Sequence, residues 1–134
     1  AITRVMQNYC GAVKSDDLLH EGLRGIEELR ANEASRLVAR NPHDLLRAQE
    51  TLNVLTNAEL VIHSCLARKA SSKQLMFQRL DYPAMDPPEW HRFVTVQRDA
   101  TGVRVGSLPI DYYGDFATNY EKHNADYIRE GAAR

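Results

Sequence analysis

The chain has 134 residues, 43% of them hydrophobic and 26% charged, with a formal net charge of −1 at pH 7. That length suits one domain with a real core, and the near-neutral charge supplies no field that would select nucleic acid or an anionic membrane surface. No apolar run approaches the ~20 residues of a membrane span, and Ala1-Ile2-Thr3-Arg4-Val5-Met6 lacks the charged leader and apolar core of a signal peptide.

Those first residues read as a helix entered midway, so the chain is expected to be a piece of a larger protein. A low aromatic content of 7% points to helices rather than a β-sandwich. Ile2 to Tyr9 predicts a short first helix, ended by Cys10-Gly11, with Gly11 suited to the position after the cap. Ser15 follows as N-cap, with Asp16 and Asp17 favourable at the positive end of the next helix. Leu18, Leu19, Gly22, Leu23, Ile26 and Leu29 give that helix one apolar face, which continues weakly to Leu37 and Val38. Glycine is costly inside a helix, so Gly22 on the apolar face predicts close approach of a neighbouring helix.

Asn41-Pro42 is an N-cap followed by proline at the first helical position. From there Leu45, Ala48, Leu52, Leu55, Glu59, Ile62 and Leu66 form a heptad-like seam about six turns long. Past Lys69 the period breaks at Ser71-Ser72-Lys73, and Pro83, Pro87, Pro88 and Pro109 exclude continuous helix. Phe93-Val94-Thr95-Val96 and Val103-Arg104-Val105, with Asp99-Ala100-Thr101-Gly102 between them, predict a β-hairpin. Phe116, Tyr120, His123 and Tyr127 predict a short amphipathic helix capped by Asp115, and the last four residues read as a frayed end. The expected fold is all-α: an up-down, spectrin-repeat-like three-helix bundle over residues 1–72. Residues 73–134 extend it within the same domain as a β-hairpin and short helix.

The chemistry is sparse. There is neither a Gly-x-Gly-x-x-Gly nor a Gly-Lys-Ser/Thr loop, so no self-contained nucleotide site is expected. Asp17/His20 and Glu59/His63 share helix faces, yet they do not form the Glu-x-x-His motifs of a di-metal bundle. A carboxylate–histidine metal bundle is therefore carried only as an alternative. Ser71 and Ser72 have no histidine nearby in sequence and suit capping or turn chemistry. Cys10 and Cys65, too far apart in sequence for a disulfide framework, are expected as buried free thiols.

Two features invite sharper readings. Glu59 falls on the apolar seam, where an unpaired charge is costly. It is expected to pair with an arginine of the second helix or the tail, such as Arg24 or Arg79; the other reading is a contact with a missing domain. The basic cluster Arg68, Lys69, Lys73 and Arg79 lies at a helix C-terminus, where it favours the dipole. It could also dock an acidic partner surface, but Asp81, Asp86 and Glu89 follow at once, which argues against nucleic acid.

Asn57-Ala58-Glu59, His63-Ser64, Ala67-Arg68-Lys69, Ser71 and Gln78-Arg79-Leu80-Asp81 together resemble the C-terminal helical domain of the flavoprotein subunit in the fumarate reductase and succinate dehydrogenase family. In that family a long helix carries Ala-Glu, then Ala-Arg-(Lys or Leu)-Glu-Ser-Arg-Gly, then a His, an Arg and an Asp. Tyr82-Pro83, Asp86 and Trp90 resemble the Asp-(Tyr/Phe)-Pro, Asp and Trp that follow, and Met6 with Cys10-Gly11 resembles the Met and Gly ahead of the domain's second helix. The adenylylsulfate reductase flavoprotein is similar. The resemblance runs to about Trp90 and, loosely, through the hairpin. The departures are concentrated at Ala70-Ser71-Ser72-Lys73, which replaces Glu-Ser-Arg-Gly, and at Gln74-Leu75-Met76-Phe77, which is longer and lacks the family's His. They mark a divergent branch.

The resemblance implies a C-terminal domain of a FAD-dependent oxidoreductase with no catalysis of its own. FAD is expected in the full-length parent and not in this segment. The implied partners are the parent's upstream FAD and capping domains and an iron–sulfur subunit, with no nucleic acid and no direct membrane insertion. The implied setting is cytoplasmic, any membrane association being made through partner subunits. No catalytic, cofactor or metal residue carries over; the structural and interface candidates are Glu59, Arg68, Lys69, Ser71, Arg79, Asp81 and Trp90. The rival reading is a free-standing helical interaction module.

Overall fold

A computed structural model describes residues 1–110, Asp115 and Thr118. Helix α1 spans Ile2–Tyr9, α2 spans Asp16–Asn32 and α3 spans Pro42–Ala67. Both long helices start as the sequence dictates. The Ser15 hydroxyl accepts from the Leu18 amide at 3.3 Å, and Asn41 Oδ1 accepts from the Asp44 amide at 2.8 Å. Each side chain satisfies one of the amides that a helix start leaves without a partner.

The three helices pack around Leu19 and Ile26 of α2 and Leu55, Ala58 and Ile62 of α3, with Ile2, Val5 and Met6 of α1 against them. Gly22 sits where all three meet. A Cβ there would lie 3.0 Å from Tyr9 Cβ and 3.3 Å from Ile62 Cδ1. The glycine thus lets α2 approach both neighbours, and packing outweighs its poor helix propensity.

The bundle departs from three matched helices. The helices have 8, 17 and 26 residues, and the buried residues of α3 begin only at Leu55. Leu45, at the head of the expected seam, is 61% exposed. The short α1 and α2 cannot cover the first turns of α3, so that end of the helix overhangs. Leu37 and Val38, in the link between α2 and α3, are exposed as well.

The all-α expectation does not hold, because two small sheets accompany the bundle. Strand β1 (Val13–Lys14) pairs in parallel with β2 (Gln78–Arg79), and β3 (Arg92–Asp99) pairs antiparallel with β4 (Gly102–Pro109). The first pair has no strand signature in sequence. It forms because the chain returning after α3 lies beside the α1–α2 link, where Gln78 and Leu80 amides donate to the carbonyls of Ala12 and Lys14 at 2.9 Å. The hairpin is as expected. Asp99 Oδ1 accepts from the Thr101 amide at 2.8 Å, and Gly102 takes φ +127°, a conformation that L side chains rarely adopt. Asp115 Oδ1 accepts from the Thr118 amide at 3.2 Å. The rest of the expected helix, with Phe116, Tyr120, His123 and Tyr127, lies outside the described residues.

Candidate functional site

The sequence-predicted residues converge at one corner of the fold, where the C-terminal end of α3 meets the N-terminal start of α2. Arg79 is its centre. The residue is fully buried, which is rare for an arginine. All its donor groups are engaged. Nη1 donates to the carbonyls of Cys65 at 2.6 Å and Arg68 at 2.9 Å. Nη2 donates to Asp81 Oδ2 at 2.9 Å and to Asp16 Oδ1, and Nε donates to Asp81 Oδ1 at 3.2 Å. The Tyr82 ring lies 5.0 Å from the guanidinium.

This geometry answers two demands at once. The last carbonyls of a helix have no intrahelical partner and carry partial negative charge, and Arg79 satisfies two of them at the end of α3. The amides at the start of α2 need acceptors, and Asp81 Oδ2 accepts from the Asp16 amide at 2.9 Å. The fork of one guanidinium matches this spread of acceptors, which a point-charge ammonium does not. Hydrogen bonding from Arg79 holds the Asp81 carboxyl well below the usual carboxylate range, against the effect of burial. For Arg79 burial acts against the charge, but the hydrogen bond and charge of Asp81, with Asp16, outweigh it and raise the pKa.

Ser71 locks the loop that carries Arg79. Its hydroxyl accepts from the Arg79 amide at 2.8 Å and donates to the Tyr82 carbonyl at 2.9 Å, and its own amide donates to Ala84. Ser72 and Phe77 exchange backbone hydrogen bonds at 2.7 and 2.9 Å across a turn that ends on Met76 with φ +48°. Both serines therefore serve turn geometry, and among the described residues no histidine partners Ser71.

Arg68 lies beside this core. Its guanidinium is 6.0 Å from the Phe77 ring centroid and 5.9 Å from that of Trp90, and Nη1 donates to the Trp90 carbonyl at 3.2 Å. Arg92 also lies 5.5 Å from the Trp90 ring centroid, while buried Lys14 reaches Phe77 at 4.2 Å. The two arginines of the basic cluster, Arg68 and Arg79, are thus turned inward. Among its members Lys69 and Lys73 are exposed, with Lys69 Nζ 5.9 Å from the Tyr82 ring.

Glu59 belongs to a separate contact. It pairs with Arg30 of α2 at 2.6 Å and with Arg98 of β3, so it ties the hairpin to the bundle. An own-fold arginine partner is as the sequence suggests, but the two named candidates are otherwise engaged. Arg24 pairs with Glu21 on the surface, and Arg79 is held in the corner. Sequence reading also missed Lys14 and Asp16 as corner residues. Asp16 showed only the signal of a first-turn acid, and Lys14 none that distinguishes it from a surface lysine.

Other chemistry finds little support among the described residues. No group of three or more His, Cys, Asp or Glu is placed to hold a metal ion, and Asp17/His20 and Glu59/His63 do not join into one. Gly22 and Gly25 face neighbouring helices and Gly102 forms the hairpin turn, so none of them cradles a pyrophosphate. Cys10 and Cys65 are free thiols, as expected, but partly buried rather than buried. A groove of about 440 Å³ runs between α1, the end of α2 and the overhanging part of α3, lined by Ile2, Leu29, Leu37, Leu52 and Leu55. No helix among the described residues is long and apolar enough to cross a membrane.

Comparison with known proteins gives a consistent answer. The family described as fumarate reductase flavoprotein C-term matches residues 1–122. A succinate dehydrogenase flavoprotein subunit of Rickettsia bellii (strain RML369-C) is 30% identical over 114 residues, covering 81% of this chain and 18% of that protein. A solved structure of mutated FrdA from E. coli quinol fumarate reductase superposes with a TM-score of 0.70 at 26% identity, covering 80% of this chain and 19% of the other. The chain therefore spans about a fifth of the length of these relatives.

Proposed function

Because the chain belongs to the fumarate reductase flavoprotein C-terminal family, we propose that it is the structural and interface domain at the C-terminal end of a FAD-dependent oxidoreductase, without turnover of its own. The observation that carries this is a run of apolar side chains on α3 that the described residues leave exposed. Leu45 is 61% exposed, Leu46 56%, Val54 52% and Val61 47%. Steps of eight and seven residues return Leu46, Val54 and Val61 to one side of a helix with 3.6 residues per turn. Apolar positions left open on one side of a helix suit contact with a further partner, and the relatives have some four-fifths of their length outside the matched segment. The occupant of this face is accordingly the upstream flavin-binding part of the same polypeptide.

In this reading FAD in the parent supplies the hydride and electron transfer, with a small dicarboxylate or a sulfur oxyanion as substrate. The residues described here hold and orient. The Arg79 corner fixes the loop after α3, and the Glu59 pairs fix the hairpin. Exposed Lys69 and Lys73, with Trp90, are the residues offered to a further subunit, an iron–sulfur protein in this family. The setting is cytoplasmic, with membrane attachment through such subunits.

The test is direct. The full-length protein should carry FAD by its absorbance band and turn over succinate or fumarate, or else a sulfur oxyanion. The 134 residues alone should do neither. Flavin bound by the 134 residues, or a full-length protein without flavin, would overturn the reading. A free-standing interaction module would instead come from an open reading frame with no Gly-rich nucleotide fingerprint upstream.

A further inference from the structure

Cys10 and Cys65 are 55 residues apart in sequence, yet the Cys10 thiol donates a hydrogen bond to the Cys65 sulfur at 3.7 Å. Cys10 is the C-cap of α1, and Cys65 lies in the last turn of α3. Neither is fully buried, and among the described residues neither has a metal ligand set around it. To bond, the two sulfurs must close from 3.7 Å to ~2.05 Å. The surroundings favour the thiolate on Cys65. The Cys10 hydrogen bond, with the Lys14 and Arg79 charges, outweighs burial and brings its pKa down to about 7, while Cys10 is pushed up by the same hydrogen bond and by burial. With the Cys10 thiol proton directed at it, Cys65 is the sulfur placed to attack and Cys10 the one to resolve.

We propose that Cys10 and Cys65 form a reversible thiol-oxidation site that takes a small hydroperoxide as oxidant and closes to an intramolecular disulfide across the α1–α3 junction. In the first step the Cys65 thiolate attacks the peroxide. An S–O bond forms and the O–O bond breaks. Sulfur is oxidised by two electrons to a sulfenic acid, and the leaving alkoxide or hydroxide takes up the proton that Cys65 released. In the second step Cys10 sulfur attacks Cys65 sulfur. The S–S bond forms, the S–O bond breaks, and hydroxide leaves with the Cys10 proton as water. In sum two thiols and one hydroperoxide give one disulfide, one alcohol or water, and one water. A small oxidant is specified because Cys65 is partly buried.

The test is peptide mapping of the full-length protein after hydrogen peroxide and alkylation of the remaining thiols. Trypsin releases Cys10 in residues 5–14 and Cys65 in residues 48–68. The expected product is these two peptides joined with the loss of two hydrogens, in unit yield per chain and abolished by dithiothreitol. Cys10→Ser should leave Cys65 as a sulfenic acid trapped by dimedone, and Cys65→Ser should leave Cys10 alkylatable. Two separately alkylated peptides after peroxide, or a linked pair formed only between two protein molecules, would overturn the proposal. The wild-type mapping decides the matter even if a variant fails to fold.

Discussion

Replacing Arg79 by lysine keeps the charge and removes the fork. Arginine offers five N–H donors in fixed geometry and lysine three from a point. Arg79 uses its donors on two carbonyls and two carboxylates while fully buried. At least two acceptors must lose their partner in Arg79→Lys. An abandoned buried acceptor costs about 1–3 kcal/mol. Asp16 and Asp81 are 41% and 28% exposed in their side chains, so water can replace part of the loss there. The carbonyls of Cys65 and Arg68 set the remainder, and the expected cost is about 2–3 kcal/mol. Arg79→Met, which leaves both carboxylates and both carbonyls, should cost about 3–5 kcal/mol. With a urea slope of about 1.5 kcal/mol per M, Arg79→Lys should lower the unfolding midpoint by roughly 1–2 M. Arg24→Ala is the control, since the Arg24–Glu21 pair is exposed and should be worth about 0.5 kcal/mol or less. Equal midpoints for Arg79→Lys and the wild type, or an equal loss in Arg24→Ala, would refute the reasoning.

Three further outcomes follow from the same geometry. Gly22→Ala gains helix propensity of about 1 kcal/mol, but its Cβ would press on Tyr9 Cβ and Ile62 Cδ1. The net result should be a loss of about 1 kcal/mol in urea unfolding, because overpacking costs ~1–3 kcal/mol. Gly102→Ala meets no atom of the described residues within 4 Å but must hold φ +127°, so thermal unfolding should show a loss of about 1–3 kcal/mol, local to the hairpin. Stability should also depend on acid. The folded-state pKa of Asp81 is depressed, so its contribution is full above the unfolded value of ~3.9 and is lost as pH falls below it. The urea midpoint of Arg79→Met should therefore decline less between neutral and acid pH than that of the wild type.

How much of this was legible in the sequence varied with the kind of signal. Ser15, Asn41-Pro42 and Gly102 act on their nearest neighbours, so the starts of α2 and α3 and the hairpin turn could be read directly. Gly22 could be read because it broke a local rule on an apolar face. The strand pair β1–β2 could not, since two residues on each side are fixed by tertiary return of the chain and not by pattern. The seam from Leu45 to Leu66 was visible, but its burial depends on the lengths of α1 and α2, so only its second half is core. At the corner, Ser71, Arg79 and Asp81 stood out through a family resemblance. Lys14, Asp16 and the Cys10–Cys65 contact depend on residues brought from 55 to 66 positions away.

The central claim is that the open face of α3 is covered by the upstream part of the parent chain. Hydroxyl-radical footprinting of Leu46, Val54 and Val61 reads this most directly, comparing the 134-residue chain, shown helical by circular dichroism, with the full-length protein. The account predicts strong labelling of all three in the short chain and protection of all three in the full-length protein. Equal labelling in both would contradict it.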